Sequence, residues 1–241
     1  MASKEVHYKH QSFQLSYELV NPTQEKSLLV LHGWGSNKEI MKQAFGKTLP
    51  EYKHIYLDMP GFGKSTNDMV LTTYDYAQIV QLFLETLDVT PTIAMGHSFG
   101  GKVSTLLNTP CLVLLSSAGV VTEKPWTIKL KIATVKFLKP LGMTFIRDMF
   151  KSKDVENMSH EMYETFKNVV DEDFEDAFSK STSKALCFWG KEDTATPLYT
   201  GEKIAGLIED SEFYPLDGDH FFFLAHKEFI AKTITKQCKD N

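Results

Sequence analysis

Five residues, Gly96-His97-Ser98-Phe99-Gly100, constrain this chain more than any other stretch. They form a G-x-S-x-G pattern, entered by a strand-like apolar run (Thr92–Met95) and left by a segment suited to a helix (Gly101–Leu107). A sharp strand-to-helix turn lifts its serine clear of the sheet, and small neighbours let adjacent backbone approach closely. The pattern therefore asks for a sheet with crossover helices and sets a nucleophile at the end of a strand. Read as an ordinary glycine-rich turn, the same stretch leaves Ser98 purely structural.

The rest of the chain supplies such a sheet. Apolar runs of four to five residues recur at Leu28–Leu31, His54–Leu57, Leu112–Leu115 and Ala185–Trp189, too short for buried helices and right for covered strands, with Glu212–Leu216 a candidate last strand. Tyr76, Ile79, Val80, Phe83, Leu84 and Leu87 have helical spacing, with Thr72 or Thr73 to cap the start and Asp75 in the first turn. The alternation predicts an α/β fold, a mostly parallel sheet flanked by helices. Phe13, Leu15, Tyr17 and Leu19 alternate strictly and read as an antiparallel lead-in strand or hairpin.

The strand–helix rhythm breaks between Gly119 and Ser183. Met143, Phe145, Ile146, Met149 and Phe150 fit one short helix, Met162, Tyr163, Phe166, Val169 and Val170 fit another, and Trp126–Ile132 suits either strand or helix. The reading is a core in two parts, 1–118 and 184–241, with a helical insertion at 119–183. Lys124, Lys129, Lys131, Lys136 and Lys139 make the start of the insertion basic, which we read as a solvated face rather than a membrane-surface helix.

Composition excludes several classes. Across 241 residues, 42% hydrophobic and 24% charged side chains describe a soluble globule with a sizeable core. A formal charge of −5 argues against a nucleic-acid partner. The apolar runs fall far short of the ~18–20 residues of a membrane span, and Met1–Glu5 carries no apolar leader. Cys111, Cys187 and Cys238 are odd in number and far apart, so neither a disulfide framework nor a zinc site is expected, and the setting reads as reducing and cytoplasmic.

Nucleotide motifs fail on inspection. Gly63-Lys64-Ser65 ends like a phosphate-binding loop, but Asp58 stands where its first glycine is needed. Gly96 to Lys102 has the glycines and lysine, yet Val103 replaces the magnesium-holding hydroxyl. Gly61-Phe62-Gly63 is followed by Lys64, Ser65 and Thr66, with no third glycine for a dinucleotide.

A serine nucleophile needs a base, and the base an orienting carboxylate. Among eight histidines, His220 lies just past Glu212–Leu216, on a turn at a strand's C-terminal end. His226 falls in a helix-like segment and suits packing or capping, and the ring of His97, beside the serine, is expected to point away. Asp193 follows Ala185–Trp189 at the corresponding end of its strand. Glu192 is its nearest competitor, and Asp217 and Asp219 are too close to His220 in sequence to face its ring. The order Ser98, Asp193, His220 is that of one hydrolase fold and of neither common protease fold. The amide of Phe99 and that of Trp34, in His32-Gly33-Trp34-Gly35 after Leu28–Leu31, are the candidate oxyanion donors.

These segments, with Asp58-Met59-Pro60-Gly61-Phe62-Gly63-Lys64-Ser65, resemble the α/β-hydrolase superfamily over roughly residues 10–118 and 184–238. The resemblance implies an α/β-hydrolase fold with 119–183 as its helical cap. Ser98 separates the chain from the dehalogenase and epoxide hydrolase branches, which use an aspartate there. Gly35-Ser36-Asn37 and Phe221 differ from the carbon–carbon hydrolases, which usually carry Gly-Pro-Gly and a tryptophan at those places. His32 to Asn37 is more similar to the small carboxylesterases of the pimeloyl-carrier methyl esterase kind, although Lys227 follows His226 where that branch has proline.

The expectation is a Ser98–His220–Asp193 hydrolase acting on a small-molecule carboxylic ester or thioester, with neither metal nor organic cofactor. The alternatives are carbon–carbon bond hydrolysis by the same residues and a binding protein that keeps the fold without turnover. Trp126, Leu130, Phe137, Met143, Phe145 and Met149 are the candidate pocket lining above Ser98, large adaptable side chains that suit an acyl group.

Overall fold

The apolar runs pair edge to edge. The computed structural model describes residues 2–122 and 158–238. Their strands are β1 (Ala2–Tyr8), β2 (Gln11–Val20), β3 (Ser27–Leu31), β4 (Lys53–Leu57), β5 (Ile93–His97), β6 (Cys111–Leu115), β7 (Lys184–Gly190) and β8 (Ser211–Leu216). They form an eight-stranded sheet in the order β1-β2-β4-β3-β5-β6-β7-β8. β1 and β2 are the antiparallel hairpin expected from residues 5–20, β2 joins β4 antiparallel, and every later pairing is parallel.

Alternation decides which layer each side chain enters. Leu29, Leu31, Ile55 and Leu57 face helices α2 (Thr73–Thr86) and α3 (Phe99–Leu106), packing with Tyr76, Ile79, Val80, Phe83 and Val103. Leu28, Val30, Tyr56 and Met95 face the other layer, built from α1 (Lys38–Phe45) and α7 (Phe223–Gln237), where Phe45, Phe223, Ile230 and Ile234 are fully buried. Burial on both faces explains why the strands read as continuous apolar runs. Thr72, rather than Thr73, caps α2, in a capping box closed by Asp75.

Three helices were not expected from periodicity: α1, α5 (Glu175–Ser179) and α6 (Leu198–Leu207). Each is ten residues or fewer, so its apolar positions are too few to establish a period. Within 119–183, α4 (His160–Val169) realises the second expected helix and sits on the core through hydrogen bonds from Leu71 N to Thr165 Oγ1 and from Asn168 Nδ2 to Leu71 O. The expected helix around Met143–Phe150, the basic lysines from Lys124 to Lys139, and the six candidate pocket residues Trp126, Leu130, Phe137, Met143, Phe145 and Met149 lie outside the described residues.

One expectation is corrected. Cys111, on β6, and Cys238, after α7, are joined in a disulfide with Cα atoms 6.1 Å apart, while Cys187 is free and buried. Distance along the chain hid the pair, since 127 residues separate them. The cysteine argument for a reducing compartment falls with it. No described helix is long and apolar enough to cross a membrane.

Candidate active site

The C-terminal ends of parallel strands expose backbone and loops to one crevice, where open α/β sheets bind ligands. Ser98 stands there between β5 and α3 with φ 52° and ψ −115°, a conformation that costs a non-glycine residue about 1–3 kcal/mol. Its surroundings enforce it. Ser98 N donates to Leu115 O, and Ser98 O accepts from Gly101 N and Ala118 N. The flanking glycines are there for closeness: a Cβ at Gly96 would lie 2.2 Å from Gly100 O, and one at Gly100 2.6 Å from His32 O. Gly96→Ala is therefore expected to destabilise the protein by about 3 kcal/mol, read by chemical denaturation, because backbone rather than a movable side chain blocks the methyl.

His220 and Asp193 come together as expected. His220 Nδ1 lies 2.7 Å from Asp193 Oδ2, and since the carboxylate accepts, Nδ1 carries the proton and Nε2 is left with a lone pair. Asp193 also accepts from Ala195 N at 2.8 Å, Thr196 N at 2.9 Å and Thr196 Oγ1 at 2.8 Å. Burial pushes its carboxyl up, but these hydrogen bonds, His220's above all, outweigh burial and hold it at about 2. Asp193 is an anion at neutral pH. The Ser98 hydroxyl forms no hydrogen bond among the described residues; such contacts are often long without substrate and tighten on binding.

The competitors are occupied elsewhere. Glu192 accepts from Gly218 N, Asp217 pairs with Lys191, and Asp219 accepts from Phe221 N. His226 Nε2 donates to Asp217 O at 2.8 Å, a structural contact. His97 departs from expectation: its ring does not point away but lies with its centroid 4.5 Å from that of His220.

The loop after β3 is held toward Ser98 by a buried network. His32 Nδ1 donates to Gly33 O, and its Nε2 accepts from Met59 N. Burial lowers the His32 pKa to about 4, so the ring stays neutral and can do both. Asp58, at the end of β4, accepts from Lys38 N, Lys38 Nζ and Lys64 N, fixing the start of α1 and the Gly61–Gly63 turn together. Removing one partner of so buried a pair costs roughly 3–5 kcal/mol, so it secures geometry more than it adds stability. Neither the Trp34 nor the Phe99 amide donates a hydrogen bond to any described residue, which leaves both available to a ligand oxygen. The Trp34 indole packs on Phe62, Phe99 and Phe166.

Sequence reasoning missed Thr196 and the Lys38–Asp58 pair. Thr196 had a signal, since an aspartate two and three residues before free amides commonly closes a turn with its own carboxylate. Lys38 had none; only folding brings it to Asp58, 20 residues away.

The architecture and this site define an α/β-hydrolase fold. A family profile described as alpha/beta hydrolase fold matches residues 26–107. Among curated proteins, the chain is 24% identical over 237 residues to the uncharacterized hydrolase YugF of Bacillus subtilis, covering 83% of this chain and 85% of that one. It is 25% identical over 241 residues to the pimeloyl-[acyl-carrier protein] methyl ester esterase of Vibrio parahaemolyticus, covering 87% and 93%. The esterase EaEST from Exiguobacterium antarcticum superposes with a TM-score of 0.77 at 21% identity, over 99% of this chain and all of that one (100%).

Proposed function

We propose that this protein is a serine hydrolase that cleaves a carboxylic ester or thioester of a small-molecule acyl substrate. The relatives and the esterase-like fold support a hydrolase. The observation that carries the finer reading is the His220–Asp193 pair at 2.7 Å, set beside an elbow serine held at positive φ.

In this reading Ser98 Oγ attacks the acyl carbon while His220 Nε2 takes its proton. The carbonyl oxygen gains the negative charge and accepts from the Trp34 and Phe99 amides, donors fixed in place before reaction. The imidazolium, steadied by the Asp193 anion, returns the proton to the leaving alcohol or thiol. Water then attacks the acyl–Ser98 ester by the same route, releasing the acid and the free serine. Trp126, Leu130, Phe137, Met143, Phe145 and Met149 are proposed to line the acyl pocket and to set chain-length preference.

A fluorophosphonate probe tests the reading directly, and hydrolysis of p-nitrophenyl esters of graded chain length, beside a carbon–carbon substrate, tests the reaction class. Labelling at Ser98 with ester turnover supports it. Turnover of the carbon–carbon substrate alone replaces it, and neither labelling nor turnover favours a binding role. Asp193→Asn is expected to lower kcat by about 10⁴-fold, because an amide in that place favours the wrong imidazole tautomer; Glu192→Gln, whose carboxylate accepts from Gly218 N and not from His220, should change kcat by less than about threefold.

A further inference from the structure

Three loops must keep register for this site to work: the elbow, the loop carrying the oxyanion amide and the loop carrying the base. One side chain touches all three. His97 ends β5 directly before Ser98 and is 1% exposed. Its Nε2 lies 3.0 Å from the backbone oxygen of His220. A carbonyl only accepts, so Nε2 carries the hydrogen, and Nδ1 is a bare lone pair, buried and without a hydrogen-bond partner among the described residues. On that side stands Gly33, where a Cβ would lie 3.0 Å from His97 Nδ1 and 3.2 Å from Ser98 Cβ. The ring is thus wedged between the oxyanion loop and the base, with Phe221 and Phe223 closing around it at 5.3 and 4.9 Å.

The base loop has other ties: the His220 ring is held by Asp193, and the backbone ties hold the loop's far end. Glu192 bonds both N and O of Gly218, and His226 bonds Asp217 O. At His220 itself, His97 supplies the described donor to the peptide oxygen. Burial lowers the His97 pKa to about 3, which keeps the ring neutral. A neutral ring is what the reaction requires, because a cation 4.5 Å away would oppose the imidazolium that His220 must become.

We infer that His97 is a positioning residue: its Nε2–H clamps the base-bearing loop to the nucleophile elbow and sets where His220 Nε2 stands relative to Ser98. The inference rests on the hydrolase reading for its kinetic consequence but not for its structural one. A displacement of about 1 Å in such a constellation costs up to about 10²-fold in rate.

Two substitutions separate the hydrogen bond from the packing. His97→Phe keeps a ring and loses the donor; His97→Gln loses the ring but carries an amide N–H at the same reach. His97→Phe is expected to lower kcat for a short ester roughly 10- to 100-fold with KM nearly unchanged, and to speed amide exchange at Phe221 and Phe222. His97→Gln should recover most of that loss. The opposite order, with the phenylalanine variant at the parent rate and the glutamine variant impaired, would show that packing alone matters and overturn the inference. Should His97→Phe not fold, His97→Leu, which also lacks the donor, takes its place. Failure of the fluorophosphonate to label the parent would count against the hydrolase reading instead. The exchange of Phe221 and Phe222 then decides the clamp alone: faster in the donor-less variant supports it, unchanged refutes it.

Discussion

Ser98→Ala should abolish turnover, lowering kcat by about 10⁵–10⁶-fold, while the protein folds as before. The size follows from the proposed mechanism: acyl transfer needs a nucleophile, and what would survive its loss comes from the proposed oxyanion donors and binding. The folding half follows from the structure. The Ser98 hydroxyl has no hydrogen-bond partner among the described residues, so its removal orphans nothing. Alanine meets the same strain at φ 52°, so stability should stay within about 1 kcal/mol of the parent. Steady-state kinetics with a short p-nitrophenyl ester and a thermal melt read the two halves. Turnover near the parent rate would remove Ser98 from the mechanism.

His220→Ala should cost as much, about 10⁵–10⁶-fold in kcat, because members of such a unit fail together. In the proposed mechanism nothing else takes the serine proton, and the Asp193 anion, 4% exposed, loses the hydrogen bond from His220 Nδ1. His226→Ala is the control. Its ring spends one nitrogen on Asp217 O, and its loss should leave kcat within about threefold. If the two variants exchanged behaviours, the base would be wrongly assigned. A fluorophosphonate reaction slowed in His220→Ala but not in His226→Ala would give the same answer without any substrate.

What could be read along the chain was whatever depends on neighbours. The strand and helix around Ser98 were legible because periods of two and 3.6 report local geometry. The hairpin of β1 and β2 was legible because Phe13, Leu15 and Tyr17 sit on one face of it, all buried. Asp193 and Glu192 both follow β7, so their place along the chain could not separate them; the fold brings Asp193 to 2.7 Å from His220. Short helices such as α1 and α6 escaped, since their folding comes from what they cover. The Cys111–Cys238 bond was read wrongly because an odd count of distant cysteines says nothing of which two will meet.

By itself, then, the sequence determined the α/β alternation, the strand–turn–helix at Ser98 and the chain order Ser98, Asp193, His220 on which the proposed roles rest. Each is written in local spacing and in residue types that few other environments tolerate. The tertiary structure alone decided that Asp58 buries Lys38, that Cys111 meets Cys238, and that His97 turns its ring onto the His220 loop. Those contacts join residues 20, 127 and 123 positions apart. The Asp58 and His97 contacts exist only because the sheet gathers the ends of β4 and β5 and the β8–α7 turn into one crevice, and the disulfide because the end of α7 meets the start of β6. A buried polar atom takes whichever partner that packing delivers, and no period in the chain records which one it will be.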